Sequence, residues 1–232
     1  MKRIVLMALS VVLALVVAAP MASAQVGQGA AASEKAEGLV AAWWQWALSK
    51  PVEDNPLFGG DPNYSEEQCD GQPLTDASVK KWFLAGTFSG DEVVRTCTMP
   101  VGTQLFFPVA NVVVLPFPDE TEDEVLTQAN EFVNSVLTDS ELSMTVTVDG
   151  KGIIESKRIV RAEAPLFSGE SPLLGPDSYE AVADGLWVTL PPLSKGEHTI
   201  HVEVSAPNVD ANKDEPGIEG FFQDNTYNLT VQ

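Results

Sequence analysis

The chain has 232 residues, with 33 acidic against 13 basic side chains, a formal net charge of −20 and two cysteines. A field of that sign works against nucleic acid and anionic membrane surfaces, and leaves cations, neutral glycans or other proteins as partner classes. Two cysteines and two histidines also make a zinc site a poor reading of the composition.

Met1-Lys2-Arg3 precedes an almost wholly apolar run from Ile4 to Pro20, and Ala22-Ser23-Ala24 closes it with small residues. Charged, apolar and small-residue regions in that order predict a secretory signal peptide over residues 1–24. No cysteine stands at the cut for lipidation and no second long apolar run follows. The expectation is therefore a secreted or periplasmic protein with no membrane span after cleavage. The mature chain would hold 11 basic and 33 acidic residues, a net charge of −22, in 208 residues. That length suits one domain with a sizeable core. In an exported chain, Cys69 and Cys97 most simply form one disulfide, whose loop closure is worth about 3–4 kcal/mol.

Residues 25–32 are small and polar and read as a disordered leader, with a single domain over residues 33–232. Ser33–Lys50 reads as a helix, capped by Ser33, acidic in its first turns and stopped by Pro51. At the helical period, Leu39, Val40, Trp43, Trp46 and Ala47 share a face, with Trp44 at its edge. Two roles are open for Trp43, Trp44 and Trp46. They dock the helix on a β core, or they form a stacking platform for a sugar ring. Val52–Val79 is a long connection rich in Pro, Asn, Asp and Gly, so it is either pinned by Cys69 or functional.

Lys81–Leu115 is the densest run of strand-forming residues. Trp82–Phe88 and Val93–Met99 flank Ser89-Gly90-Asp91, a composition that predicts a hairpin. Pro100-Val101-Gly102 predicts a further turn, and Leu105–Leu115 a third strand, apolar enough for both faces to be covered. Arg95 stands among these apolar positions, so it is either structurally ion-paired or lines a polar ligand pocket.

Trp43-Trp44-x-Trp46, Asn55-Pro56, Cys69, Trp82-Phe83-Leu84-Ala85-Gly86-Thr87-Phe88, Arg95-Thr96-Cys97-Thr98-x-Pro100-x-Gly102 and Gly196-Glu197-His198-Thr199-Ile200-His201 together resemble the pattern of an uncharacterised family of exported bacterial proteins. The resemblance spans most of the mature chain. It brings no activity with it, so it implies no catalytic residue.

Beyond Leu115, Thr121-x-x-Glu124 is a capping box opening an amphipathic helix over Glu122–Leu137, a better reading of this acidic run than a Ca²⁺ loop. Leu142–Val148 alternates as a half-buried strand, and Asp149-Gly150 predicts a hairpin turn. Arg158–Ala162, Gly185–Leu190, His198–Val204 and Phe221–Val231 are further strand segments, with Ala164–Tyr179 and Ala206–Gly220 read as loops. Many short strands with Pro/Gly turns and no βαβ alternation predict a mainly β fold. The expectation is an antiparallel β-sandwich, jelly-roll or immunoglobulin-like, with an N-terminal helix and one inserted amphipathic helix.

Signatures of catalysis are thin. No Gly-x-Ser-x-Gly elbow occurs, and Ser78-x-x-Lys81 lacks the partner motifs that would give it meaning. His198 and His201, three apart on a strand, face opposite sides and do not chelate one ion. Asp210-x-Asn212-x-Asp214 offers alternating oxygen ligands for Ca²⁺, yet Glu215 stands where an EF-hand loop needs Gly. No other cofactor is expected. The sequence reading is thus a secreted non-catalytic binding or structural protein, with a neutral glycan, a cell-envelope component or another exported protein as partner. The alternative is a secreted polysaccharide hydrolase or lyase using carboxylates that no motif identifies.

Overall fold

The computed structural model describes residues 30–58, 81–154, 158–175, 177–210 and 219–232. Helix α1 (Ala30–Leu48) is followed by two short 3-10 turns, Val52–Asp54 and Pro56–Phe58. Then come β1 (Lys81–Phe83), β2 (Glu92–Met99), β3 (Gln104–Val114) and helix α2 (Glu122–Leu137). The rest is strand: β4 (Ser143–Val148), β5 (Lys151–Gly152), β6 (Ile159–Glu170), β7 (Ser178–Leu190), β8 (Gly196–Asp210) and β9 (Glu219–Val231). The predicted signal peptide and Cys69 lie outside the described residues. Among those described, no helix is long and apolar enough to cross a membrane.

The strands form a β-sandwich of a four-stranded sheet, ordered β1-β3-β7-β6, and a five-stranded sheet, ordered β2-β9-β8-β4-β5. Most neighbours are antiparallel as expected, but β1 pairs with β3 and β2 with β9 in parallel. The hairpin expected between Trp82–Phe88 and Val93–Met99 does not form, because β1 and β2 belong to different sheets. After Phe83 the chain leaves the strand, and side chains take up its carbonyls. Trp43 Nε1 donates to Leu84 O at 2.9 Å, while Arg95 and Tyr227 both donate to Ala85 O.

Helix α1 starts at Ala30, three residues before the expected start, so Ser33 lies inside the helix, and residues 25–29 of the expected leader are outside those described. Its last turn is closed from outside: Asn55 Nδ2 donates to Ala47 O at 2.8 Å and Ser171 Oγ to Leu48 O at 2.6 Å. These are carbonyls a helix end cannot satisfy within itself. The capping box at α2 forms as predicted, with Thr121 and Glu124 bonded reciprocally.

Two expected loops are partly strand. Strand β6 runs on to Glu170 and absorbs Pro165 at a register shift between Ala164 and Phe167. Strand β8 continues to Asp210 past a shift after Ala206. A bulge lets a proline sit in a sheet without orphaning a ladder partner. The Asp149-Gly150 turn is the predicted hairpin, with φ of 51° and 72° matching the twist that joins β4 to β5.

Three layers result. Leu105, Phe107, Leu186, Val188 and Leu190 face Val202, Val204, Tyr227 and Leu229 across the sandwich. On the opposite face of the four-stranded sheet, α1 packs its indoles against Phe106, Trp187 and the small Ala162, Ala164, Ala181 and Ala183. Where β3 and β7 extend beyond the five-stranded sheet, α2 covers Val112, Val114 and Val182 with Val125, Ala129 and Val133.

Gly185 sits at the centre of this arrangement. A Cβ there would lie 2.7 Å from Ala110 O and from Asn111 Cβ, and 2.9 Å from Trp187 Nε1. None of these is the free end of a flexible chain, so Gly185→Ala should lower stability by about 1–3 kcal/mol through overpacking. Chemical denaturation of the two proteins measures it.

Candidate functional site

The three tryptophans predicted as a possible platform are core residues. Trp43, Trp44 and Trp46 are 1%, 2% and 5% exposed. Trp43 meets Trp187 edge-on at 5.4 Å, and Trp187 stacks on Phe106 at 5.1 Å with planes 4° apart. A sugar needs an exposed ring face, and none of the three offers one, so they dock α1 instead. Arg95 is likewise not a ligand-pocket residue. It is 7% exposed and donates to the carbonyls of Ala85, Pro56 at 2.7 Å and Gly86 at 3.4 Å. A buried guanidinium whose Nη atoms donate to three carbonyls fixes the 3-10 turn and the segment after β1 against β2.

The calcium candidate is mostly outside the described residues: Asp210 ends β8, in backbone register with Glu219, and Asn212 and Asp214 are not described. Ser78 is outside them as well, and Lys81 is buried with its ammonium donating to Gln104 Oε1. Cys97 is buried and disulfide-bonded. Its expected pairing with Cys69 rests on a residue outside those described.

Two polar constellations were not anticipated. The first is buried under α2. Asp184 is fully buried and takes Arg161 Nε at 3.0 Å and Nη2 at 2.5 Å. The same guanidinium donates to Asn134 Oδ1 at 2.6 Å and Asn130 Oδ1 at 2.9 Å, both on α2. Burial pushes the Asp184 carboxyl above the ordinary carboxylate value, with Arg161 pulling it back and Glu163 adding to the rise. With Asp184 enclosed and Arg161 22% exposed at the edge of α2, the hydrogen-bonded pair is a fastener between sheet and helix. The only sequence signal for it was a lone acid in the apolar run of β7, meaningful once a cation is known to sit diagonally across from it on β6.

The second constellation lies at one end of the five-stranded sheet. His198 Nδ1 is 2.8 Å from Asp149 Oδ2, and its Nε2 is 2.9 Å from Ser194 O and 3.2 Å from Ser194 Oγ. Asp149 holds His198 above the ordinary imidazole value, and His198 in turn holds Asp149 below the ordinary carboxylate value. His201 turns to the opposite side, as predicted, and meets Asp224 Oδ1 at 3.0 Å.

The five-stranded sheet also carries the one extended polar face among the described elements. Read across β2, β9, β8 and β4, its register aligns Thr96, Asn228 and Thr199 in one row. The next row is Val94, Thr226, His201 and Thr147, and the next Glu92, Asp224, Glu203 and Thr145. Thr98, Thr230 and Glu197 border the other side. Every one of these side chains is exposed or half-buried. Strand alternation produces the face, since Cys97, Leu229, Ile200 and Val146 between them point into the core.

The α2 fastener gives a test. Arg161→Met leaves Asp184 buried without its cation, and should cost about 3–5 kcal/mol near neutral pH. Because protonation removes the uncompensated charge, the deficit should shrink as pH falls through the acid range. Denaturant unfolding of both proteins across pH checks the direction, and an unchanged deficit would show that lost packing, not charge burial, sets the cost.

No protein-family model matches the chain, and no curated protein is significantly similar to it. Among solved structures, the solution structure of amebosin aligns at 10% identity and a TM-score of 0.21, covering 65% of this chain and 96% of that one. A cysteine protease inhibitor from Entamoeba histolytica aligns at 11% identity and a TM-score of 0.23, covering 65% and 95%. Likenesses at those scores assign neither a fold family nor an activity.

Proposed function

We propose that the protein is an exported, non-catalytic binding β-sandwich that meets its ligand on the open face of the five-stranded sheet, and that the ligand is a neutral glycan or a similarly hydroxyl-rich component of the cell envelope. The observation that carries this reading is the in-register field of Thr side chains around Asn228. Hydroxyls and amides both donate and accept, as sugar hydroxyls do, so the pairing works in either direction. Glu92, Glu203 and Asp224 along one side and Glu197 along the other disfavour polyanions. The four-stranded sheet has no equivalent face, being covered by α1 on one side and by α2 and the second sheet on the other.

The polar groups buried in the described part of the molecule support a binding role over a chemical one. Arg95, the Arg161–Asp184 pair, Asn55 and Ser171 are each engaged in holding one element to another.

A glycan and polysaccharide array probed with the purified protein, with and without Ca²⁺ and with product analysis of any hit, tests the reading. Binding without products is expected. Combined Thr199→Ala and Asn228→Ala substitution should weaken that binding about tenfold or more, which is about 1.4 kcal/mol. As surface changes they should move stability by no more than about 0.5 kcal/mol. Cleaved products would instead assign a polysaccharide hydrolase or lyase, and silence across the array would remove the glycan as ligand.

A further inference from the structure

His198 stands where three segments meet. It lies on β8, faces Asp149 in the β4–β5 turn, and faces Ser194 in the connection from β7 to β8. Its side chain is 11% exposed although the Asp149 side chain beside it is 46% exposed. Asp149 is itself fixed to β8 by the backbone, its amide donating to Thr199 O at 2.8 Å while its Oδ1 accepts from Thr199 N at 2.9 Å. The turn is therefore held independently of the imidazole, whereas the hydrogen bonds described from Ser194 to His198 run through the ring.

The two nearest atoms to the ring nitrogens, Asp149 Oδ2 and Ser194 O, are a carboxylate and a carbonyl. Both only accept. A neutral imidazole has a single N–H, so it satisfies one of them and, with Nδ1–H on Asp149, keeps on the Ser194 side only the longer contact of Nε2 with the Ser194 hydroxyl at 3.2 Å, while an imidazolium satisfies both acceptors. We propose that Asp149, His198 and Ser194 form a proton-operated clasp, closed when His198 is protonated and loosened on the Ser194 side when it is neutral, where the 2.9 Å bond to the Ser194 carbonyl is lost and only the 3.2 Å hydroxyl contact remains. Loosening frees the connection around Ser194 at the end of the sheet whose open face includes Thr199.

The order Ser-His-Asp is also that of a nucleophile, a base and its orienting acid. In that role Nε2 must accept the serine proton, whereas in the clasp it donates to the carbonyl of Ser194, which lies at 2.9 Å against 3.2 Å for the hydroxyl. The charged groups around the ring agree with a clasp. Asp149 and Glu197 favour the imidazolium against partial desolvation, and Lys151 faces Asp149 from β5.

The direction with pH follows. A histidine whose folded pKa is raised contributes stability fully below its ordinary value of about 6.5 and loses it as pH rises through the folded value. Asp149, with its pKa lowered, stays ionised well into acid and leaves that window open.

Proton NMR titration of the two histidines in the intact protein, assigned with His198→Gln, tests the clasp together with amide-exchange protection of residues 193–196. One imidazole should titrate above its ordinary value, and Asp149→Asn should return it toward that value. Protection around Ser194 should fall several-fold across the same pH interval, and stay flat with pH in His198→Gln. A His198 pKa at or below the ordinary value, or protection that ignores its titration, overturns the proposal. Covalent labelling of Ser194 by a fluorophosphonate would also overturn it, because it would show Nε2 acting as a base.

Discussion

Strands β3 and β7 carry apolar side chains on both faces, and the rest of the molecule is arranged to cover them. Along β7, Leu186, Val188 and Leu190 point into the sandwich while Trp187 points the other way, toward α1. Burying such side chains on both sides is worth about 1.5–3 kcal/mol each. One five-stranded sheet is too short to cover the inner face, so α2 covers the remainder. Helix α1 covers the outer face, and alanines on β6 and β7 leave room for its indoles.

Covering a sheet with helices strands polar groups at the seams, and the buried polar residues answer that cost. Arg95 and Tyr227 take the carbonyl of Ala85, where the chain leaves β1. Burial pushes the Tyr227 phenol up to about 12, in keeping with a hydroxyl that donates and does not ionise. Asn55 and Ser171 close the end of α1. Arg161 and Asp184 join the sheet to α2, an arrangement in which the pair is tolerable but either partner alone is not. Some buried polar atoms stay without a partner, among them the indole N–H groups of Trp44 and Trp46 and the hydroxyl of Tyr179. Burial alone pushes the Tyr179 pKa up to about 12.

This economy leaves the molecule with unequal faces. One sheet is spent on the core, and the other keeps its outer side for solvent, furnished with short hydroxyl and amide side chains at strand spacing. Rigid strands hold such groups at fixed separations, which lowers the ordering cost of binding an extended, repetitive ligand. The imidazole clasp sits at the border of that face, joined to it through the Thr199 backbone.

Much of this was legible in the chain itself, and for local reasons. Alternation of apolar and polar residues marked β4 and β8, the Thr121–Glu124 box marked the start of α2, and Asp149-Gly150 marked its turn, because each depends only on near neighbours in sequence. The sandwich class followed from the number of strands. What the sequence left open depended on distant partners. The Trp43–Trp46 cluster could have been platform or core until Trp187, about 140 residues on, was seen to lie against it. Arg95 could have lined a pocket until it was seen buried against the carbonyls of Ala85 and Pro56. Pairings such as Arg161 with Asp184, or His198 with Asp149 and Ser194, leave no mark in local spacing. Strand register alone brings them together, and register is a property of the whole sheet.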